Sequence, residues 1–227
     1  MTDTGEVGER SRSFVVPLIV LLGLSLGGFG LRMHGRAQAT IAGRTVGQVT
    51  AQERAATFTF DPGVPAADRD AFLTAVSHAR PEAQTLIASV DGLVDVHVAQ
   101  TEAGTVGITQ STGDRYSVTV NLGIVSRRYG QRGIDRTVLH ELGHVVDFAL
   151  VPPQTNSRLD AAIPHGYGCD SLNSGGCASP TERFAESFAK WATGDIGVDL
   201  YLGYKVPPPN DLASWGAPLA ALASAGS

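Results

Sequence analysis

Residues 140–147 read His-Glu-Leu-Gly-His-Val-Val-Asp, and this stretch decides what kind of domain the chain forms. Apolar residues recur around it at helical spacing, namely Val138, Leu142, Val145, Val146 and Ala149. The pattern predicts a helix from Ile134 to about Leu150, preceded by Gly133 and ended by a pair of prolines. Side chains four positions apart share one helical face, so His140 and His144 are expected to point the same way.

Two histidines at this spacing are suited to hold one metal ion between their imidazoles. Zinc is the expected ion, because it accepts imidazole and carboxylate ligands and lowers the pKa of a water molecule toward about 7. Glu141 lies beside the histidines and is expected to act as the general base that takes a proton from this activated water. The plain alternative is two surface histidines on an amphipathic helix.

A catalytic zinc site needs a third protein ligand, and residues 182–188, Glu-Arg-Phe-Ala-Glu-Ser-Phe, provide the candidates. They belong to a helix predicted to begin at Pro180, and Glu182 and Glu186 share one face of it. Glu182 can bind the metal, while Glu186 accepts a hydrogen bond from a ligand histidine and fixes its tautomer. The alternative is a pair of solvated acids.

The two segments together resemble the gluzincin metallopeptidases, and within them the catalytic domain of the anthrax lethal factor type. The resemblance covers at most residues 110–192, and only residues 140–147 and 182–188 are specific. It implies a small zincin-like domain of the α+β class, one Zn2+ per chain, and hydrolysis of peptide bonds in a peptide or protein substrate. Metzincins are disfavoured, because Asp147 and Leu150 stand where their extended motif has glycine and histidine.

Carried over residue by residue, the resemblance implies His140, His144 and Glu182 as metal ligands, Glu141 as base and Glu186 as the partner of a ligand histidine. Asp147 is interpreted as a structural acid. Its alternatives are a metal ligand or a group that orients His144.

The family has a tyrosine shortly before its third ligand that stabilises the oxyanion, and Tyr167 is the nearest match. The match departs from the family pattern, because a loop bounded by Cys169 and Cys177 lies between Tyr167 and Glu182. The alternatives are that His165 donates the hydrogen bond to the oxyanion, or that neither residue does. The two cysteines predict a disulfide, which would agree with export to an oxidising compartment, and two buried free thiols are the alternative.

The rest of the domain also reads as α+β. Pro65-Ala-Ala-Asp68 is predicted to open one helix, and Pro81 is predicted to start a second. A third helix is predicted at residues 210–223 near the C-terminus. Three short segments with alternating or β-branched residues predict an antiparallel sheet, namely 93–99, 105–110 and 116–122. The segment from Pro152 to Pro180 is interpreted as a loop. The strand at 116–122, just before the zinc helix, is a candidate cleft edge for a bound peptide, with an internal strand as the alternative.

The N-terminal part is predicted to lie outside the catalytic domain. Residues 1–13 form a tail, and the uncharged run 14–31 predicts a transmembrane anchor or signal segment. Residues 32–57 read as a linker, and 58–227 as the metallopeptidase domain. The expected location is the cell membrane, single-pass, with the catalytic domain extracytoplasmic. Secretion after cleavage near Ala39 is the alternative.

Composition limits the functions that remain. The chain has 227 residues, 43% of them hydrophobic, which suits one compact domain with an appendage. A net charge of −5 argues against a nucleic-acid partner, because such binding needs a clustered basic surface. Two alternatives to a peptidase stay open: an exported, membrane-tethered binding domain with a structural zinc site, and a hydrolase of a non-peptide amide.

Overall fold

The computed structural model describes residues 58–102, 105–164, 178–197, 200 and 205–226. This part of the chain is an α+β domain, as the sequence predicts. Its helices are α1 Ala66–Ser77, α2 Pro81–Ala88, α3 Leu122–Leu150, α4 Pro153–Ala161, α5 Pro180–Thr193 and α6 Leu212–Ala225. Its strands are β1 Thr59–Phe60, β2 Val94–Val98, β3 Gly107–Ser111 and β4 Tyr116–Val120.

The strands form one mixed sheet in the order β1-β2-β4-β3. Strand β2 pairs in parallel with β1 and β4, and only β3 and β4 are antiparallel. The prediction of a purely antiparallel sheet is therefore wrong. Val94 and Val96 of β2 and Val118 and Val120 of β4 are fully buried, so the two apolar strands take the centre. The polar strand β3 lies at the edge, where a row of solvated side chains is tolerated.

The position of β4 also contradicts its proposed place at a cleft edge. Strand β4 lies between β2 and β3, so both of its edges are already paired. The alternation seen in the sequence reports which face of a strand is buried and carries no information about its neighbours. The edge strand next to α3 is β3.

Helix α3 begins earlier than predicted and is broken. It starts at Leu122, where the Asn121 side chain accepts a hydrogen bond from the Ile124 amide. Gly130 adopts φ 63° and ψ −154°, a conformation that glycine reaches at low cost, and it divides α3 into two helical segments. Gly133, predicted to precede the helix, lies inside the second segment, packed closely against Tyr129. A side chain at this position would collide with Tyr129.

Four of the helix predictions are confirmed. Helix α1 follows Pro65, and α2 and α5 begin at Pro81 and Pro180, because proline is preorganised for the first helical turn. Helix α6 starts at Leu212, two residues after the predicted start.

The interpretation of 152–180 as a loop is wrong in part, because α4 occupies Pro153–Ala161. The two prolines read as a helix terminator, yet Pro153 also opens the next helix. Residues 165–177 lie outside the described part of the chain, and the predictions for His165, Tyr167, Cys169 and Cys177 lie there with them.

Residues 1–57 are also outside the described part, including the segment 14–31. Among the helices that are described, none is both long and apolar enough to span a bilayer.

Helices α3 and α5 pack closely against each other, and this contact brings residues 140–147 and 182–188 together in space. Gly143 lies at the contact: a Cβ there would be 3.1 Å from the Ala185 Cα and 3.1 Å from a ring carbon of Phe188. The missing side chain lets α5 approach α3. Glu182, one turn before Ala185 on α5, is thereby brought to the histidines of α3.

Candidate metal centre

His140, His144 and Glu182 form a compact cluster. Each residue offers one ligand atom, and these atoms all lie within 4.8 Å of one another. Glu182 Oε2 is 3.2 Å from His140 Nε2, and Glu182 Oε1 is 3.5 Å from His144 Nε2. Both imidazoles of α3 therefore face the same carboxylate, which belongs to Glu182 on α5.

The donor set fits a tetrahedral metal ion. Zinc bonds to nitrogen and oxygen of about 2.0–2.1 Å at tetrahedral angles put neighbouring ligand atoms about 3.4 Å apart. The two nitrogen–oxygen separations at Glu182 are close to that value, 3.2 Å from His140 Nε2 to Oε2 and 3.5 Å from His144 Nε2 to Oε1, and each involves a different carboxylate oxygen. The three residues could therefore hold a metal ion.

Glu186 holds the far side of the His140 ring. Its Oε2 lies 3.2 Å from His140 Nδ1, so it accepts the hydrogen bond that was predicted for it and leaves Nε2 turned toward Glu182. Its Oε1 accepts a hydrogen bond from Arg136 at 2.6 Å and lies 3.3 Å from Lys190 Nζ. Burial alone would raise the pKa of Glu186, but the His140 hydrogen bond and the two cations lower it to about 2. Glu186 is therefore a fixed anion.

Glu141 is buried against the edge strand. The Thr109 hydroxyl of β3 lies 2.7 Å from Glu141 Oε2 and 3.1 Å from the Glu141 carbonyl oxygen. Gly107, also on β3, leaves the room that the Glu141 side chain fills, because a Cβ there would collide with it. Burial raises the pKa of Glu141, and the His140 charge and the Thr109 hydrogen bond offset only part of that effect. A carboxylate with a raised pKa is suited to accept and return a proton.

The carboxylates make the centre of the cluster favourable for a cation. Burial tends to lower the pKa of His140, but hydrogen bonds to Glu182 and Glu186 raise it well above its ordinary value. Burial lowers the pKa of His144 to about 4, and the charge of His140 acts in the same direction. The two glutamates therefore favour one positive charge on the pair of imidazoles.

No family model, curated protein or solved structure matches this chain. The resemblance to gluzincins thus depends on residues 140–147 and 182–188 alone. His140 and Glu182 are 42 positions apart in the sequence and lie in hydrogen-bonding distance in the fold. This convergence of the two segments is the main support for a shared site.

Asp147 is not part of the cluster formed by His140, His144 and Glu182. It is buried, and its Oδ1 accepts a hydrogen bond from Asn156 of α4 at 2.5 Å. Burial raises the pKa of Asp147 to about 6, although the hydrogen bond opposes the shift. The contact attaches α4 to the end of α3, in line with a structural role.

Sequence reasoning missed five residues around the site. They are Gly107, Thr109, Arg136, Phe148 and Lys190. Three of them carried a signal, because Arg136 precedes His140 by four positions, Phe148 follows His144 by four, and Lys190 follows Glu186 by four. Gly107 and Thr109 carried none, since their place beside Glu141 depends on the order of strands in the sheet.

Proposed function

We propose that this chain is a zinc-dependent metalloendopeptidase of the gluzincin type. The observation that carries the proposal is the cluster of His140, His144 and Glu182, with the buried Glu141 beside it. A merely structural metal site has no need for a carboxylate such as Glu141, buried and with a raised pKa. This argument favours hydrolysis over a structural zinc site in a binding domain.

The contacts of Glu141 and Glu186 support the roles proposed for these residues. His140, His144 and Glu182 would hold the zinc ion, which would supply Lewis-acid activation of water and of the substrate carbonyl. Glu141 accepts a proton from the attacking water and delivers it to the leaving amine. Thr109 fixes one oxygen of Glu141, and Glu186 fixes the ring of His140. Tyr167 is proposed as the donor to the oxyanion, with His165 as the alternative.

The substrate is proposed to bind along β3. This strand is paired only with β4 among the described strands, so its outer edge can accept a further strand. Thr109 on β3 contacts Glu141, so a peptide on this edge passes the general base. Main-chain hydrogen bonds to the edge would hold an extended peptide with little dependence on its sequence. A peptide or protein is therefore favoured over a small non-peptide amide.

We propose that residues 14–31 anchor the chain in the cell membrane, with the catalytic domain outside the cytoplasm. The uncharged run in the sequence supports this location. Secretion after cleavage near Ala39 is the alternative. Mass spectrometry of the chain isolated from cells would separate the two, because cleavage removes the segment from the mature protein.

The function is tested by Glu141→Gln in the full-length chain. The variant is expected to keep its zinc and to lose cleavage of a peptide library by at least about a hundredfold, because it retains the ligands and lacks the base. Glu82→Gln, at an exposed position of α2, is the matched control and is expected to keep both properties. Library cleavage by Glu141→Gln at the wild-type rate would contradict the proposed mechanism. Zinc binding without any cleavage by the wild type would favour the binding-domain alternative.

A further inference from the structure

A partly exposed aromatic side chain lies directly beside the proposed metal ligand His144. Phe148, one turn further along α3, stacks on the His144 imidazole with ring centroids 5.9 Å apart and planes 22° apart. Phe148 also stacks on Tyr116 of β4, at 6.4 Å and 25°. The rings of His144, Phe148 and Tyr116 thus form a continuous surface, which we call the aromatic platform.

The exposure of Phe148 is unusual for its surroundings. It is 49% exposed, whereas the phenylalanines of the core are almost fully buried: Phe58, Phe72, Phe184 and Phe188. Single exposed apolar residues are common on protein surfaces and need no explanation. Phe148 differs from them because its ring contacts both a proposed metal ligand and a second aromatic ring.

The platform lies a short distance along β3 from the general base. Thr109 pairs with Val118 and Ser111 with Tyr116, so Thr109, Ser111 and Tyr116 project from the same face of the sheet. Thr109 contacts Glu141, and Ser111 lies opposite the tyrosine of the platform. Two residues along a strand correspond to about 7 Å. A peptide cleaved beside Glu141 would therefore place a residue one or two positions from the scissile bond over Phe148.

We propose that the aromatic platform is a subsite for an aromatic or large aliphatic side chain on the amino side of the scissile bond. Strand β3 runs from Gly107, near Glu141, to Ser111, near the platform. A peptide that pairs antiparallel with β3 runs the other way, so its N-terminal part crosses the platform. An aromatic side chain there can stack on Phe148 with an offset and remove its exposed face from water. The inference rests on the proposed function and adds a substrate preference to it.

The test compares two small zinc-binding probes on the zinc-loaded, full-length chain. N-acetyl-Phe-Phe hydroxamate and N-acetyl-Ala-Ala hydroxamate bind the metal through the same group and place their side chains at the first and second positions on the amino side of it. Their dissociation constants are measured by calorimetry, so no substrate or turnover is needed. The wild type is expected to bind the phenylalanine probe about tenfold more tightly, because only that probe buries a ring on the platform.

The variants assign the preference to Phe148. In Phe148→Ala the preference is expected to fall to about twofold or less, with unchanged zinc content. Phe148→Leu retains apolar bulk without a ring and is expected to give an intermediate preference, which also keeps the test decisive if the alanine variant folds poorly. Ile124→Ala, a matched truncation of an exposed residue near the start of α3, is expected to behave as wild type.

Two outcomes would overturn the inference while leaving the proposed function intact. One is equal affinity of the zinc-loaded wild type for both probes, as would follow if another segment of the chain or a second copy covers the platform. The other is an undiminished preference in both Phe148 variants. An absence of zinc, or of binding by either probe, would remove the proposed function and this inference together.

Discussion

At the scale of single residues, His140 has a carboxylate partner at each of its two ring nitrogens. Nε2 faces Glu182 and Nδ1 faces Glu186, which lie one turn apart on α5. This double contact follows from the spacing of the two glutamates and could be predicted from sequence. Lys190 lies four positions after Glu186 on α5, so its contact also follows from the spacing, whereas the contact of Arg136 with Glu186 depends on the packing of α3 against α5.

Glu186→Gln tests the support of His140. The amide oxygen can still accept the hydrogen bond from His140, but the buried Arg136 and Lys190 lose the negative charge of Glu186. Zinc affinity is expected to fall by about 10–100-fold, and the free energy of unfolding by about 3 kcal/mol. Competition with a chromophoric chelator and urea denaturation measure the two effects. Wild-type zinc affinity in this variant, judged against Glu82→Gln, would exclude a role for Glu186 in the site.

Asp147→Asn tests the buried carboxyl at the end of α3. Its pKa of about 6 in the fold exceeds the value of about 3.9 in an unfolded chain, so the folded state binds the proton more tightly. This contribution to stability is full below about pH 4 and is lost as the pH rises to about 6. The asparagine side chain does not titrate, so the variant does not lose stability as the pH rises. Its amide oxygen can still accept the hydrogen bond from Asn156. It is expected to be more stable than wild type at pH 7 by about 2 kcal/mol.

Urea denaturation of the chelator-treated chain between pH 4.5 and 7.5 measures this difference. Asp70→Asn, an exposed position on α1, serves as control and is expected to follow the wild-type pH dependence. A constant difference between Asp147→Asn and wild type over this range would show that Asp147 does not titrate as described.

At the scale of elements, the proposed metal site depends on how closely α5 approaches α3. Gly143 leaves room for the Ala185 backbone and the Phe188 ring, and α5 carries Glu182 to the histidines through this contact. Gly143 lies between His140 and His144 in the sequence motif, which by itself assigns it no role. Its role in packing becomes visible only from the neighbouring helix.

Gly143→Val tests the helix contact. The added methyl groups would meet Ala185 and Phe188 and separate α5 from α3, which moves Glu182 away from the histidines. Overpacking of this kind costs about 1–3 kcal/mol in the free energy of unfolding, and zinc affinity is expected to fall with it. Gly123→Val, at an exposed position of the same helix, is the control. Equal zinc affinity in the two variants would contradict a packing role for Gly143.

The elements also show where sequence patterns carry information. Helices α2 and α5 are predictable because proline marks their first turn and apolar residues recur along one side. Helix α4 is missed because Pro152-Pro153 reads as a terminator. The parallel pairing of β2 with β4 is missed because alternation reports the faces of a strand and is silent on its partners.

At the scale of the whole molecule, the site joins three separate parts of the chain. Helix α3 carries two of the proposed ligands and the proposed base, α5 carries the third proposed ligand, and Thr109 of the edge strand β3 contacts Glu141. The His140–His144–Glu182 group could be predicted because helical spacing is local in sequence. The contribution of β3 could not, because it depends on a sheet order that long-range packing decides.

Elemental analysis of the purified full-length chain tests most directly whether His140, His144 and Glu182 bind zinc. Wild type and Glu82→Gln are predicted to carry one zinc per chain, and His144→Ala and Glu182→Ala to lose it, because two remaining ligands hold zinc poorly. Full zinc content in Glu182→Ala would contradict the ligand set drawn from α3 and α5. An absence of zinc in the wild type would contradict both the proposed metal site and the proposed peptidase function.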